Sequence, residues 1–157
     1  MEHDPMSLHD RIEDDLRTAM KARDRPRLDA LRMLKAAITT RAMADGGTPT
    51  TRLDDATVMA VVTTEVKRRR EATTAFRDAG REESALMEEA EAAVYAAYLP
   101  TQLDDDALRA MVAATAERLG ATGPRDAGNV IREVLGEAAG GADGGRVAAM
   151  VREVLST

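Results

Sequence analysis

The chain has 157 residues, enough for one compact domain or two small ones, with 44% hydrophobic and 32% charged residues and a formal net charge of −6. It contains no cysteine, which excludes disulfide staples, thiolate metal sites and cysteine nucleophiles and fits a reducing compartment. No apolar run approaches the ~18 residues of a membrane span, and the polar start Met1-Glu2-His3-Asp4-Pro5 is not a secretory signal, so the expectation is a cytoplasmic protein without membrane contact.

Aromatic residues are limited to Phe76, Tyr95 and Tyr98. The core must come from Ala, Val, Leu and Met, a palette suited to closely packed helices. Helical periodicity runs nearly throughout and no stretch alternates as a strand does. Ser7 can cap a first helix with Leu8, Ile12, Leu16 and Met20 at four-residue spacing, ending near Arg23–Asp24. Pro26 suits the first position of a second helix whose inner face is Leu28, Leu31, Leu34 and Ile38. Gly46, Gly47 and Pro49 then form a loop. Asp54 or Asp55 caps a long third helix striped by Val58, Val62, Val66 and Phe76 and stopped at Gly80.

A fourth helix, with Leu86, Ala90, Ala93, Val94 and Ala97 as its apolar positions, must end by Leu99, because Pro100 disfavours helix in the residue before it. That proline sets a domain boundary: residues 1–99 form an N-terminal helical domain and residues 100–157 a small tail. In the tail, Asp104 caps a fifth helix (Leu108, Met111, Val112, Leu119) closed by Gly120. A sixth covers roughly 125–138, with Val130, Ile131, Val134 and Leu135. After the glycine-rich run Gly140–Gly145, Asp143 caps a seventh, with Val147, Met150, Val151, Val154 and Leu155. The predicted fold is all-α, a four-helix part followed by a small three-helix bundle near the lower size limit of a freestanding core.

Charge is unevenly spread. Residues 17–41 hold eight basic and two acidic residues and residues 67–81 hold six and two, whereas residues 81–157 hold seven and fourteen. A basic zone on an acidic protein can still attract a polyanion, because the local field governs encounter.

Candidate chemistry is sparse. His3 and His9 have no companion cluster at ligand spacing, so no metal site is expected. The acidic runs read as solvated helix faces. The Gly140–Gly145 run lacks both the lysine ending and the preceding strand of a phosphate loop, and reads as a turn. No cofactor site and no catalytic residues emerge.

The most informative segment is Glu65-Val66-Lys67-Arg68-Arg69-Arg70. On an ideal wheel Glu65 and Arg69 fall with Val58, Val62 and Phe76 inside an arc of about 60°. Charges within an apolar stripe are costly unless paired. Lys35, with Arg32 at the edge, falls on the corresponding stripe of the second helix. The expectation is a semi-buried network of Arg32, Lys35, Glu65 and Arg69 joining helices 2 and 3, with Lys67, Arg68 and Arg70 left for a partner.

Several short segments then fall in a telling order: Arg32-Met33-Leu34-Lys35-Ala36, Val66-Lys67-Arg68-Arg69, Phe76, Gly80-Arg81-Glu82, Tyr98-Leu99-Pro100 with Gln102-Leu103, and Ala142-Asp143-Gly144. Over about residues 7–156 the set resembles the YqeY proteins. Their C-terminal part is similar to the tail of the GatB subunit of aspartyl/glutamyl-tRNA amidotransferase. The resemblance implies a two-part helical fold and a tail that helps hold tRNA. By association it also implies carbon–nitrogen ligase chemistry with glutamine as amide donor. The transamidation machinery of GatB lies in a kinase-like domain and the ammonia comes from a separate amidase subunit, and neither fits within this chain.

Three functional readings follow. One is binding of tRNA or another structured RNA through Lys67, Arg68 and Arg70, with Arg125, Arg132 and Arg146 of the tail. The second is an adaptor docking on a protein partner in translation or tRNA modification without RNA contact. The third is an enzyme, which would turn over substrate as the isolated chain. With three aromatics there is little to stack single-stranded bases on, whereas structured RNA is recognised by shape and backbone.

Overall fold

A computed structural model describes residues 6–156. His3 lies outside the described residues. The described chain is all-helical, with seven α-helices and no strand. These are α1 (Leu8–Ala22), α2 (Arg25–Ala44), α3 (Asp55–Asp78), α4 (Glu82–Ala96), α5 (Asp105–Leu119), α6 (Ala127–Ala138) and α7 (Gly144–Leu155), with a 3-10 turn, Pro124–Asp126, before α6. The chain divides into two compact units, Met1–Tyr98 and Leu99–Thr157.

Side-chain caps set most helix starts. Ser7, Asp24, Asp54, Asp104 and Asp143 each accept an N–H from the first turn that follows, satisfying a donor that has no partner within its helix. With Asp24 as the cap, Arg25 takes the first position of α2 and Pro26 the second, one later than expected. Asp55 bonds elsewhere: its carboxylate accepts the Leu8 N–H at 2.8 Å and ties the start of α1 to the start of α3.

The core of the first unit is Leu8, Ile12, Leu16, Leu28, Leu31, Leu34, Ile38, Val58, Val62 and Val66, closed by Tyr95 and Tyr98 of the α4 end. Each such side chain contributes roughly 1.5–3 kcal/mol by leaving water. Two expected stripes turn out differently. Met20 is 51% exposed and Ala19 takes the inner position on α1. On α4 the inner face is Ala85, Ala92 and Tyr95, while Leu86, Ala90, Ala93 and Ala97 point to solvent. Small alanines let α4 lie close against α3, and the acids Glu88 and Glu91 turn towards Arg69.

Three contacts give the helix register. Leu8 bonds to Asp55, 47 residues on, at the α1 and α3 starts. Arg69 bonds to Glu91 across antiparallel α3 and α4, which puts Tyr98 level with Val62. The Tyr98 hydroxyl in turn donates to Asp15, again about 47 residues before that level. Ala22, the last residue of α1, therefore stands level with Arg69. Beyond it α3 runs on for about nine residues, roughly 14 Å at 1.5 Å per residue, and α4 returns beside it. On this α3–α4 projection, between residues 70 and 91, only Thr73 and Ala85 are buried.

The second unit packs α5, α6 and α7 around Leu108, Val112, Val130, Val134, Val147 and Val151. Leu119 and Leu135 lie at its exposed margin.

Candidate nucleic-acid interface

The structure brings Glu65 and Arg69 together as expected but closes the network through α4, not α2. Glu65 is 7% exposed and faces Arg69 Nη1 at 3.3 Å and Arg68 Nη1 at 3.0 Å. Arg69 Nε reaches Glu91 at 2.9 Å and Glu88 at 3.7 Å, and its guanidinium lies 5.6 Å from the Tyr95 ring centroid. Burial alone would lower the Arg69 pKa, but Tyr95, Glu65 and Glu91 outweigh it and raise it. Arg32 and Lys35 stay outside. Arg32 is exposed without an ion pair among the described residues, and Lys35 pairs with Glu13 of α1 at 3.8 Å. The α2 core is already filled by Leu31 and Leu34, so both cations are displaced to its rim.

Among the other predicted residues, Lys67 and Arg70 are exposed and make no ion pair among the described residues, whereas Arg68 is held by Glu65. Arg70 lines a shallow groove of about 380 Å³ with Thr74, Arg77 and Glu89. Arg77 is neutralised there: Glu82 first, then Glu89, raise its pKa.

In the tail, Arg125 is exposed and unpaired among the described residues, and Arg132 bonds only its neighbour Asn129. Arg146 is committed inward, donating at 2.9 Å to both the Leu103 carbonyl and the Asp105 carboxylate.

Sequence reasoning marked the 17–41 zone as basic without singling out its free members. In the structure Arg17, Arg25 and Arg41 are each paired with an acid four residues away. Lys21, Arg23, Arg27 and Arg32 have no such acid and remain exposed without ion pairs among the described residues. Discarding every cation with an acid at four-residue spacing would have kept these four together with Lys35, whose partner Glu13 lies on another helix. Lys21, Arg23 and Arg27 sit at the tight α1–α2 corner, where Arg23 adopts φ 54° and ends α1. The register puts this corner level with Lys67 and Arg70 of α3, so two basic runs far apart in sequence share one height of the bundle.

The model of the family described as Yqey-like protein matches residues 9–155, nearly the whole chain. The chain belongs to the YqeY-like family. No curated protein matches it in sequence.

A second recess of this YqeY-like fold, about 230 Å³, is lined by His9, Glu13, Lys35, Thr39, Thr50 and Arg52. Its charged groups are paired within the protein: Lys35 lies against Glu13, and Arg52 against Asp10. That leaves little net field for a ligand. Among the described residues no group of three or more acids or histidines is placed to hold a metal ion, and no helix is long and apolar enough to cross a membrane.

Proposed function

We propose that this chain is a non-catalytic RNA-associated protein, with structured RNA such as tRNA seated on Lys21, Arg23 and Arg27 of the α1–α2 corner and Lys67 and Arg70 of α3. What carries this reading is the shared height of these exposed, unpaired cations; each can neutralise a phosphate without first breaking an internal ion pair. Burial of Tyr95 and Tyr98 favours a structured RNA read by its backbone over a single strand read by stacking. In this reading residues 1–99 and 100–157 act as a four-helix domain and a three-helix tail domain in the cytoplasm. Arg125 and Arg132 of the tail are secondary contacts, and the link to glutamine-dependent amide transfer is one of relatedness to an RNA-holding appendage.

The test is binding of total tRNA across a salt series. The wild-type chain should bind at low salt, with affinity falling steeply as salt rises. A Lys67→Glu/Arg70→Glu variant and a Lys21→Glu/Arg23→Glu variant should each weaken binding at least tenfold, and an Arg17→Glu variant much less. Absence of binding at low salt would sink the reading. A nuclease-resistant complex with a translation protein would then favour the adaptor.

A further inference from the structure

The α1–α2 corner and the α3–α4 projection are opposite in charge and both carry exposed apolar side chains. Residues 17–27 hold five cations and one anion, a balance of +4, while residues 71–91 hold two cations and seven anions, a balance of −5. Met20 at the corner is 51% exposed; Leu86 and Met87 on the projection are 54% and 64% exposed. Leu86, Ala90, Ala93 and Ala97 recur at three- and four-residue spacing on the outer face of α4, a continuous apolar seam. Glu71, Asp78 and Glu83 of the projection make no ion pair among the described residues, as Lys21 and Arg23 make none at the corner. Within one chain most of the projection runs on past the corner along the bundle axis, and among the described residues no ion pair joins the two.

We propose that the occupant of this surface is a second copy of the same chain, the projection of each copy lying against the corner of the other. A two-fold axis makes both contacts at once, since an isologous interface uses one patch twice. The apolar core would be Met20 against Leu86 and Met87, ringed by Lys21, Arg23 and Arg27 facing Glu71, Asp78 and Glu83. The arrangement stands whether or not the corner also takes RNA; where it does, dimer and RNA compete for the same cations.

The experiment is the solution mass of the RNA-free full chain by light scattering over a range of concentrations, at low and high salt. The wild type should move towards twice its 16.9 kDa mass as concentration rises, and back towards the monomer in high salt. Met87→Glu, which alters no cation and sits on an open face, should leave a folded monomer. Two charge variants complete the test: Lys21→Glu/Arg23→Glu at the corner, and Glu71→Lys/Glu83→Lys on the projection. Each alone should be monomeric, while their equimolar mixture restores both contacts and the dimer mass. A wild type that stays monomeric throughout overturns the proposal. So does a dimer indifferent to Met87→Glu and to both charge variants, which would place its interface elsewhere. Loss of tRNA binding in the corner variant with the dimer intact would overturn the corner-to-projection contact and leave the RNA reading standing.

Discussion

The Tyr95 hydroxyl donates to the Ala30 carbonyl at 2.6 Å from a fully buried position, fastening α4 to α2 through one phenol. Burial pushes its pKa up to about 12. Tyr98 is also raised, by burial and then by the Asp15 carboxylate that accepts its hydroxyl. A phenol that holds its proton more tightly when folded gives stability that is complete below the unfolded value of about 10 and lost as pH rises through the folded value. We predict that the two phenols leave stability unchanged from neutral pH to about pH 10 and take away roughly 2 kcal/mol per tyrosine above it. Tyr95→Phe should cost about 1 kcal/mol at neutral pH and make the alkaline decline shallower. Urea midpoints at stepped pH check both; an unchanged alkaline slope in Tyr95→Phe would count against the buried-phenol account.

The paired core of α3 gives a second prediction. Removing one partner of a buried ion pair strands the other, whereas neutralising a carboxylate in place keeps its shape and some hydrogen bonding. Arg69→Met leaves three carboxylates converging with only the exposed Arg68 nearby, and should cost about 3 kcal/mol. Glu65→Gln should cost about 1 kcal/mol, because Arg69 retains Glu91. Reversible chemical denaturation ranks them, and equal costs would mean that α4 contributes nothing to holding Arg69.

The helices and their ends were legible because caps and glycines act locally. Asp54, Asp104 and Asp143 cap helices as read from sequence, and Gly80 and Gly120, at φ 75° and 67°, sit at the predicted stops. The buried face of α4 was not legible. Two apolar arcs compete on that helix, Leu86-Ala90-Ala93-Ala97 and Ala85-Ala92-Tyr95, and the count of wholly apolar side chains favours the first. Tertiary packing selects the second, since Tyr95 alone can reach Ala30 and small alanines admit α3. The charged pair Glu65 and Arg69 could be placed on the stripe by periodicity, but Glu88 and Glu91 lie 19 and 22 residues beyond Arg69, on another helix, where spacing carries no information. The α1–α2 corner stayed hidden for a related reason: its basic composition was plain, but its height beside Lys67 depends on three tertiary contacts.

Glycines in the two units predict effects of opposite sign. A Cβ at Gly47 would stand 2.8 Å from Thr51 Oγ1 and 2.9 Å from the Ala42 carbonyl, so Gly47→Ala should destabilise by about 1–3 kcal/mol through overpacking. Gly136 lies inside α6 with nothing near its would-be Cβ. Gly136→Ala should stabilise by up to about 1 kcal/mol, the helix-propensity difference. Thermal melts of the two variants should move in opposite directions. A Gly136→Ala variant that melts lower would show that this face of α6 is not open.

Arg146 decides how the tail's basic residues are to be understood. Its two bonds at 2.9 Å join the first turn of α7 to the segment leading into α5, and Asp143 caps that same turn from the other side. Arg146→Ala should therefore destabilise the tail by about 1–3 kcal/mol, while Arg125→Ala and Arg132→Ala leave stability within about 0.5 kcal/mol. In tRNA binding the order should reverse. Arg125→Ala, which releases an exposed cation, should weaken affinity and flatten the salt dependence by close to one ion, whereas Arg146→Ala should bind normally wherever the tail remains folded. Amide exchange in α7 beside the salt series separates the two. If Arg146→Ala flattened the salt dependence while its amides stayed protected, Arg146 would be an RNA contact and its bond to Asp105 a resting arrangement that the RNA displaces.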